Sequence, residues 1–256
     1  MELGLRGRRV LVTGGSKGLG FAISAELVGE GAIVAICSRD EDEALAAGRE
    51  LGVAHAQAAD VTDPEQVRDF VARAAEALGG IDGLVNNAGR AHPGTFETLS
   101  DEDWIADLDV KLFSLIRCSR EVLPHLRAAG GGRIVNIGAV YGRYPDPVFF
   151  GTSVNRAAGN SFTKTLALEL AGDGILVNGV NIGYVVTPQW DNIHRRRAPN
   201  LPRDEFLAQL AEREVPLGRF GTPAEVSGIV AFLLSDRASY ITGASIDVAG
   251  GMGKYV

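Results

Sequence analysis

The sequence predicts an α/β domain built on a doubly wound parallel sheet of about seven strands. Short apolar runs alternate with helix-period segments along the whole chain. Parallel neighbours need a crossover, and a helix between two strands supplies it. A glycine-rich turn joins the first apolar run to the first helix. The chain has 256 residues, a length that one doubly wound core accommodates, so 1–256 is expected to form a single domain.

Val10-Leu11-Val12 reads as the first buried strand, and Gly20 to Glu30 as a helix with Phe21, Ile23, Leu27 and Val28 at its apolar positions. Ala32 to Cys37 is the second strand and Glu41 to Leu51 the second helix. A short strand near Val53 to Ala56 precedes a helix from Pro64 to Leu78, where Pro64 suits a first helical turn. Ile81 to Val85 is a fourth strand; helical material between Glu102 and Ala129 ends at Gly130-Gly131-Gly132. Arg133 to Ile137, Thr152 to Leu170, Ile175 to Asn181, Glu225 to Leu234 and Ala244 to Val248 continue the alternation as strand, long helix, strand, helix and strand. The interval 187–221 breaks this rhythm with four prolines and one helical piece at Arg203 to Glu214. A long excursion in a compact domain reads as a lid.

Composition narrows the function classes. The formal net charge of −7 argues against a broad nucleic-acid surface. The run Arg195-Arg196-Arg197 reads as a solvated surface segment or as a phosphate or lid contact. Cys37 and Cys118 form no pairing motif, and His55, His92, His125 and His194 show no ligand spacing, so no disulfide framework and no metal site is expected. No apolar stretch approaches the ~20 residues of a membrane span. The segment from Met1 to Arg9 lacks the apolar core of a signal peptide, so a cytoplasmic protein is expected.

The turn Thr13-Gly14-Gly15-Ser16-Lys17-Gly18-Leu19-Gly20 sits between strand one and helix one. Glycines there let backbone approach a pyrophosphate, and the helix N-terminus offers free N–H groups, as in a Rossmann-type fold. Its Gly-x-x-x-Gly-x-Gly spacing resembles that of the short-chain dehydrogenase/reductase family. Further pieces resemble that family in order: Asp60-Val61, Asn86-Asn87-Ala88-Gly89, Asn181 to Pro188, Arg219-Phe220-Gly221 and Tyr240-Ile241-Thr242-Gly243. The resemblance implies a nicotinamide dinucleotide held by Gly14, Ser16, Lys17, Gly18, Leu19, Gly20, Asp60, Val61, Asn87, Ala88, Gly89, Arg156, Val185 and Thr187. After strand two, Ser38 stands where an acidic residue would select NAD(H), and Arg39 follows. With Lys17, this hydroxyl and two cations favour NADP(H) over NAD(H), while Asp40 counts against it.

The family works with an asparagine, a serine, a tyrosine and a lysine. Aligned on Asn160 to Leu170, these positions hold Lys111, Ala139, Thr152 and Arg156, so the chain reads as a divergent member. A threonine hydroxyl is a far weaker acid than a phenol, Ala139 offers no hydrogen bond, and Arg156 does not readily give up a proton. Candidate catalytic groups are therefore Arg156, Lys111 and Thr152, with Tyr141, Tyr144 and Tyr184 at the pocket rim as alternative proton sources. Ala139, Tyr141, Tyr144, Phe149, Phe150, Tyr184 and Trp190 suggest an apolar or aromatic carbonyl or alcohol as substrate. Three functions stay open: an oxidoreductase with a rearranged site, a non-redox enzyme of isomerase or cyclase type, and a catalytically silent dinucleotide-binding protein. The family pairs two long helices across a two-fold axis, here near Lys111 to Ala129 and Thr152 to Leu170, which implies a homotetramer or homodimer. Ala157, Ala158, Leu166 and Leu170 suit that contact or the sheet equally.

Overall fold

The computed structural model describes residues 2–253; Met1 and the last three residues of the expected 1–256 domain lie outside them. The chain alternates β1 (Arg9–Thr13), α1 (Gly18–Gly29), β2 (Ile33–Ser38), α2 (Glu41–Leu51), β3 (His55–Ala58), α3 (Pro64–Leu78) and β4 (Gly83–Asn86). It continues through α4 (Asp101–Leu108), α5 (Ser114–Ala128), β5 (Gly132–Ala139), α6 (Phe150–Leu170) and β6 (Ile175–Ile182). Last come α7 (Gln189–Arg197), α8 (Arg203–Glu214), α9 (Pro223–Leu234) and β7 (Ser245–Val248).

All seven strands join one parallel sheet in the order β3-β2-β1-β4-β5-β6-β7. This is the Rossmann-type single domain that the strand–helix alternation predicts. Strand order reverses between β1 and β4, and it is beyond the carboxyl ends at such a switch point that doubly wound folds form their ligand crevice. Two apolar layers hold the sheet. One buries Ile23, Leu27, Val226 and Val230 of α1 and α9 against Val12, Ile36 and Val180. The other buries Val67, Phe70, Val122 and Leu166 of α3, α5 and α6 against Leu11, Leu84 and Val177. The strands are near-continuous apolar runs because both faces are covered.

Helix starts follow local chemistry. Asp40 and Asp63 cap α2 and α3 by accepting from backbone N–H groups of the first turn, and Thr222 with Glu225 forms a capping box on α9. The helical material between Glu102 and Ala129 is not one regular helix. A single wider π turn, Asp109–Phe113, interrupts it between α4 and α5. The 187–221 interval holds two helices rather than one. In addition to α8, α7 forms around buried Trp190 and Ile193, which pack with Leu207, Leu210 and Phe220 in a small core of their own.

Candidate active site

The carboxyl ends of β1, β2, β3, β4, β5 and β6 deliver Gly14, Ser38, Asp60, Asn87, Ala139 and Tyr184 to one edge of the sheet. At the β1–α1 turn, Gly14 has φ +66°, a left-handed backbone that disfavours a side chain. A Cβ on Gly20 would lie 2.1 Å from the Gly14 carbonyl oxygen and 2.5 Å from Nδ2 of Asn87, so only glycine fits. Asn87 braces the turn from the neighbouring strand: its Nδ2 donates to the Thr13 and Gly14 carbonyls, each at 3.0 Å. Thr13 Oγ1 accepts from the backbone N–H groups of Asn87 and Ala88. Ser16, Gly18 and Leu19 complete the turn and open α1. Thr187 and Pro188 lie over it, within about 4 Å of where a Gly18 side chain would begin. Val185 is buried and bridged to Gly221, which anchors this covering segment.

At the far end of the crevice, Asp60 folds its carboxylate onto Thr62, and Val61 is buried. Ser38 donates its hydroxyl hydrogen to the Asp40 carbonyl at 2.8 Å. Lys17 is exposed and paired with Glu43 at 2.8 Å. Arg39 is exposed and has no ion-pair partner among the described residues. An exposed pair such as Lys17–Glu43 contributes at most about 1 kcal/mol, so Lys17 remains free to turn to an incoming anion.

The centre of the site lies where the π turn meets α6. Lys111, on that turn, is 1% exposed, and its Nζ donates to Thr152 Oγ1 at 2.7 Å. The same Nζ pairs with Oδ1 of Asp107 at 2.5 Å, one helical turn earlier. Asn155 Nδ2 donates to the other Asp107 oxygen at 2.8 Å. Burial first, and then the Arg156 guanidinium, lower the Lys111 ammonium from 10.5 to about 8, against the opposing pull of Asp107. Arg156 donates from NH1 to the Ile137 carbonyl at 2.9 Å, and its NH2 approaches Gly89. Its Nε is buried with no hydrogen-bond partner. Burial lowers the guanidinium to about 10, which still leaves it charged at neutral pH.

The tyrosines sit apart from this cluster of contacts. The hydroxyls of Tyr141 and Tyr184 bond each other at 2.9 Å, and burial raises both phenols. Tyr141 stacks on Phe149, and Tyr184 on Phe220 with Trp190 at its edge. Tyr144 lies beside the Arg143 guanidinium and against Gly253. Phe150 packs with Phe96 and Trp104 over α4. Asp107, Asn155 and His92 join Lys111 here although the sequence does not single out the first two. The spacing of Asp107 and Lys111, four apart on helical backbone, is the one signal that pairs them in advance.

The residues fit a dinucleotide. The glycine turn leaves a cradle that any Cβ would fill, it opens onto free N–H groups of α1, and the buried Arg156 Nε lacks a partner inside the protein. Fold and site thus define a dinucleotide-binding α/β protein. The family model described as enoyl-(acyl carrier protein) reductase matches residues 14–253. The chain is 34% identical over 252 residues to the 3-oxoacyl-[acyl-carrier-protein] reductase of Thermotoga maritima, covering 97% of this chain and 98% of that one. L-sorbose reductase from Gluconobacter frateurii, solved with NADPH and L-sorbose, superposes with a TM-score of 0.96 at 33% identity over all of both chains. An NADPH-bound short chain oxidoreductase of Pseudomonas aeruginosa, described as containing an atypical catalytic center, superposes with a TM-score of 0.91 at 36% identity, covering 98% of this chain and 99% of that one. This chain belongs to the short-chain dehydrogenase/reductase family of oxidoreductases. Among the described residues no helix is long and apolar enough to cross a membrane.

Proposed function

We propose that this protein is an NADP(H)-dependent oxidoreductase. It interconverts a carbonyl and an alcohol on an apolar or aromatic small molecule, through a centre made of Lys111, Thr152 and Arg156 where the family keeps other residues. A bound nicotinamide would supply or take up the hydride, which is the cofactor's own chemistry. The observation that carries the reading is the 2.7 Å hydrogen bond from Lys111 Nζ to Thr152 Oγ1. A threonine hydroxyl alone is too weak an acid to protonate a substrate oxygen. An ammonium brought down to about 8 and bonded to that hydroxyl is a competent source, because its acidity lies near neutral pH. Thr152 Oγ gives its proton to the substrate oxygen and regains one from Lys111.

Arg156 holds the ribose end of the cofactor and keeps the site positive, which favours a developing alkoxide. The glycine turn with Asn87, Ala88, Gly89, Asp60 and Val61 would hold the rest, and Val185 and Thr187 would meet the carboxamide. Ser38, Arg39 and Lys17 receive the 2′-phosphate.

The test pairs binding with turnover. NADPH should bind more tightly than NADH, and Arg39→Ala should erase the difference. Wild type should reduce members of a panel of aromatic and aliphatic ketones. Lys111→Met and Thr152→Val should each cut kcat about a hundredfold while NADPH binding persists. An NADPH-bound wild type that reduces no ketone in the panel would reject the oxidoreductase and leave a non-redox or silent protein.

A further inference from the structure

Lys111 is sealed from water, so whatever proton it gives away must be replaced along a defined route. On one side of its Nζ stands Thr152, which accepts its hydrogen bond. On its other side stands Asp107, 2% exposed, with Asn155 occupying Oδ2 and Lys111 beside Oδ1. Beyond Asp107 Oδ1 is His92, on the loop after β4. Its Nδ1 is buried, has no hydrogen-bond partner and lies 3.9 Å from that oxygen. The other ring nitrogen, Nε2, faces Asp103 at 3.3 Å, and Asp103 is 41% exposed. A line of exchangeable groups, with one gap at His92 Nδ1 and Asp107 Oδ1, thus runs from solvent to Thr152.

We propose that His92 and Asp107 form a proton relay that reloads Lys111 from solvent after each turnover. This rests on the oxidoreductase reading above. In the reducing direction, an O–H bond forms on the substrate as the Thr152 O–H bond breaks, and Thr152 regains its proton from Nζ of Lys111. The resulting amine takes a proton through Asp107 Oδ1, which receives one from Nδ1 of His92. His92 recovers its proton from water beside Asp103. One proton enters at Nε2 for each one given up at Nδ1, and a turn of the imidazole ring or exchange of its proton with water then restores the Nδ1–H form for the next passage.

The gap between His92 and Asp107 makes this relay intermittent. A hydrogen bond needs about 2.9 Å, so the ring must advance roughly 1 Å. His92 and Asp107 line a small hollow with Leu99, Asp103, Trp104 and Gly151 that has no room for a water molecule. Direct approach of the ring is the crossing the relay uses. His92 itself belongs to no helix or strand, and the loop is held on either side of it, by Ala91 N–H on Gln189 and by the Gly94–Phe149 bridge, so the movement asked for is that of the ring. Asp103 and Asp107 on α4 and Arg90 on the same loop set the field around this route, with Lys111 and Arg156 behind Asp107. Asn155 is a positioning residue: it occupies Oδ2 and leaves Oδ1 for the proton.

The decisive experiment needs no turnover. Proton exchange between the Lys111 ammonium and water is read by NMR on the cofactor-free protein with labelled lysine, in wild type and His92→Gln. The relay requires exchange roughly tenfold slower in the variant; unchanged or faster exchange overturns it. A second arm uses the ketone assay. His92→Ala should lower kcat with the KM for NADPH unchanged, and added imidazole should restore it. A drop in kcat that imidazole does not repair would mean a structural role and also overturn the relay. If wild type reduces no ketone, the oxidoreductase reading fails by itself, and the exchange measurement still judges the relay.

Discussion

Lys111 carries most of the chemistry proposed for this site, and it is the kind of group that burial makes useful. An ammonium in water titrates too high to release a proton at neutral pH; buried beside Arg156 it is lowered to about 8. The direction of the pH dependence follows. Reduction needs the protonated form, so its rate is fully present below about pH 8 and falls as pH rises through that value. Oxidation needs the free amine and rises over the same window. In Lys111→Met the step near this value should vanish from both profiles; its survival in the variant would assign it to another group. The Tyr141–Tyr184 pair offers no competing source near neutral pH, because burial holds both phenols above their ordinary range.

Elements bring these residues together. A ladder of buried amides and hydroxyls ties β4 to β5 and α6: Asn86 Nδ2 donates to Asn136 Oδ1 at 2.8 Å, and Asn136 Nδ2 to Thr163 Oγ1 at 2.9 Å. It fixes α6, and with it Thr152 and Arg156, relative to the sheet. The π turn presents Lys111 toward α6 while α4 presents Asp107 to the same space. The β1–α1 turn has no tolerance for a methyl group at Gly20. Gly20→Ala should therefore weaken NADPH binding at least about tenfold, measured by fluorescence titration, with the melting temperature as the check on folding. Affinity equal to wild type would mean that the turn does not receive the pyrophosphate.

At the scale of the molecule, the outer side of α6 remains unexplained by the monomer. Leu166 and Leu170 face the sheet, whereas Val154, Ala157 and Leu168 are exposed. Phe113 is exposed at the start of the α5 segment. Apolar side chains in this arrangement fit the helix pairing that the family resemblance implies. We expect a homotetramer or homodimer by light scattering at micromolar concentration, and Leu168→Glu should shift it toward monomer. A monomeric wild type would remove the argument.

Much of this is legible from residue order. The strand–helix alternation, the glycine turn and the bounds of α2 and α3 depend on local patterns of apolar and capping residues, and these survive without tertiary context. The candidate site is legible in its parts: the family resemblance read from the sequence singles out Lys111, Thr152 and Arg156 as expectations. Other features belong to the folded molecule. α7 is polar except for Trp190 and Ile193, so helical periodicity is faint until α8 packs against it. A π turn depends on one displaced hydrogen-bond register, which no residue type announces. The Lys111–Thr152 contact joins residues 41 apart, and the His92–Asp107 approach joins a loop to a helix. Such contacts depend on how layers pack. The lowered ammonium is likewise a property of what surrounds Lys111 rather than of the residue itself.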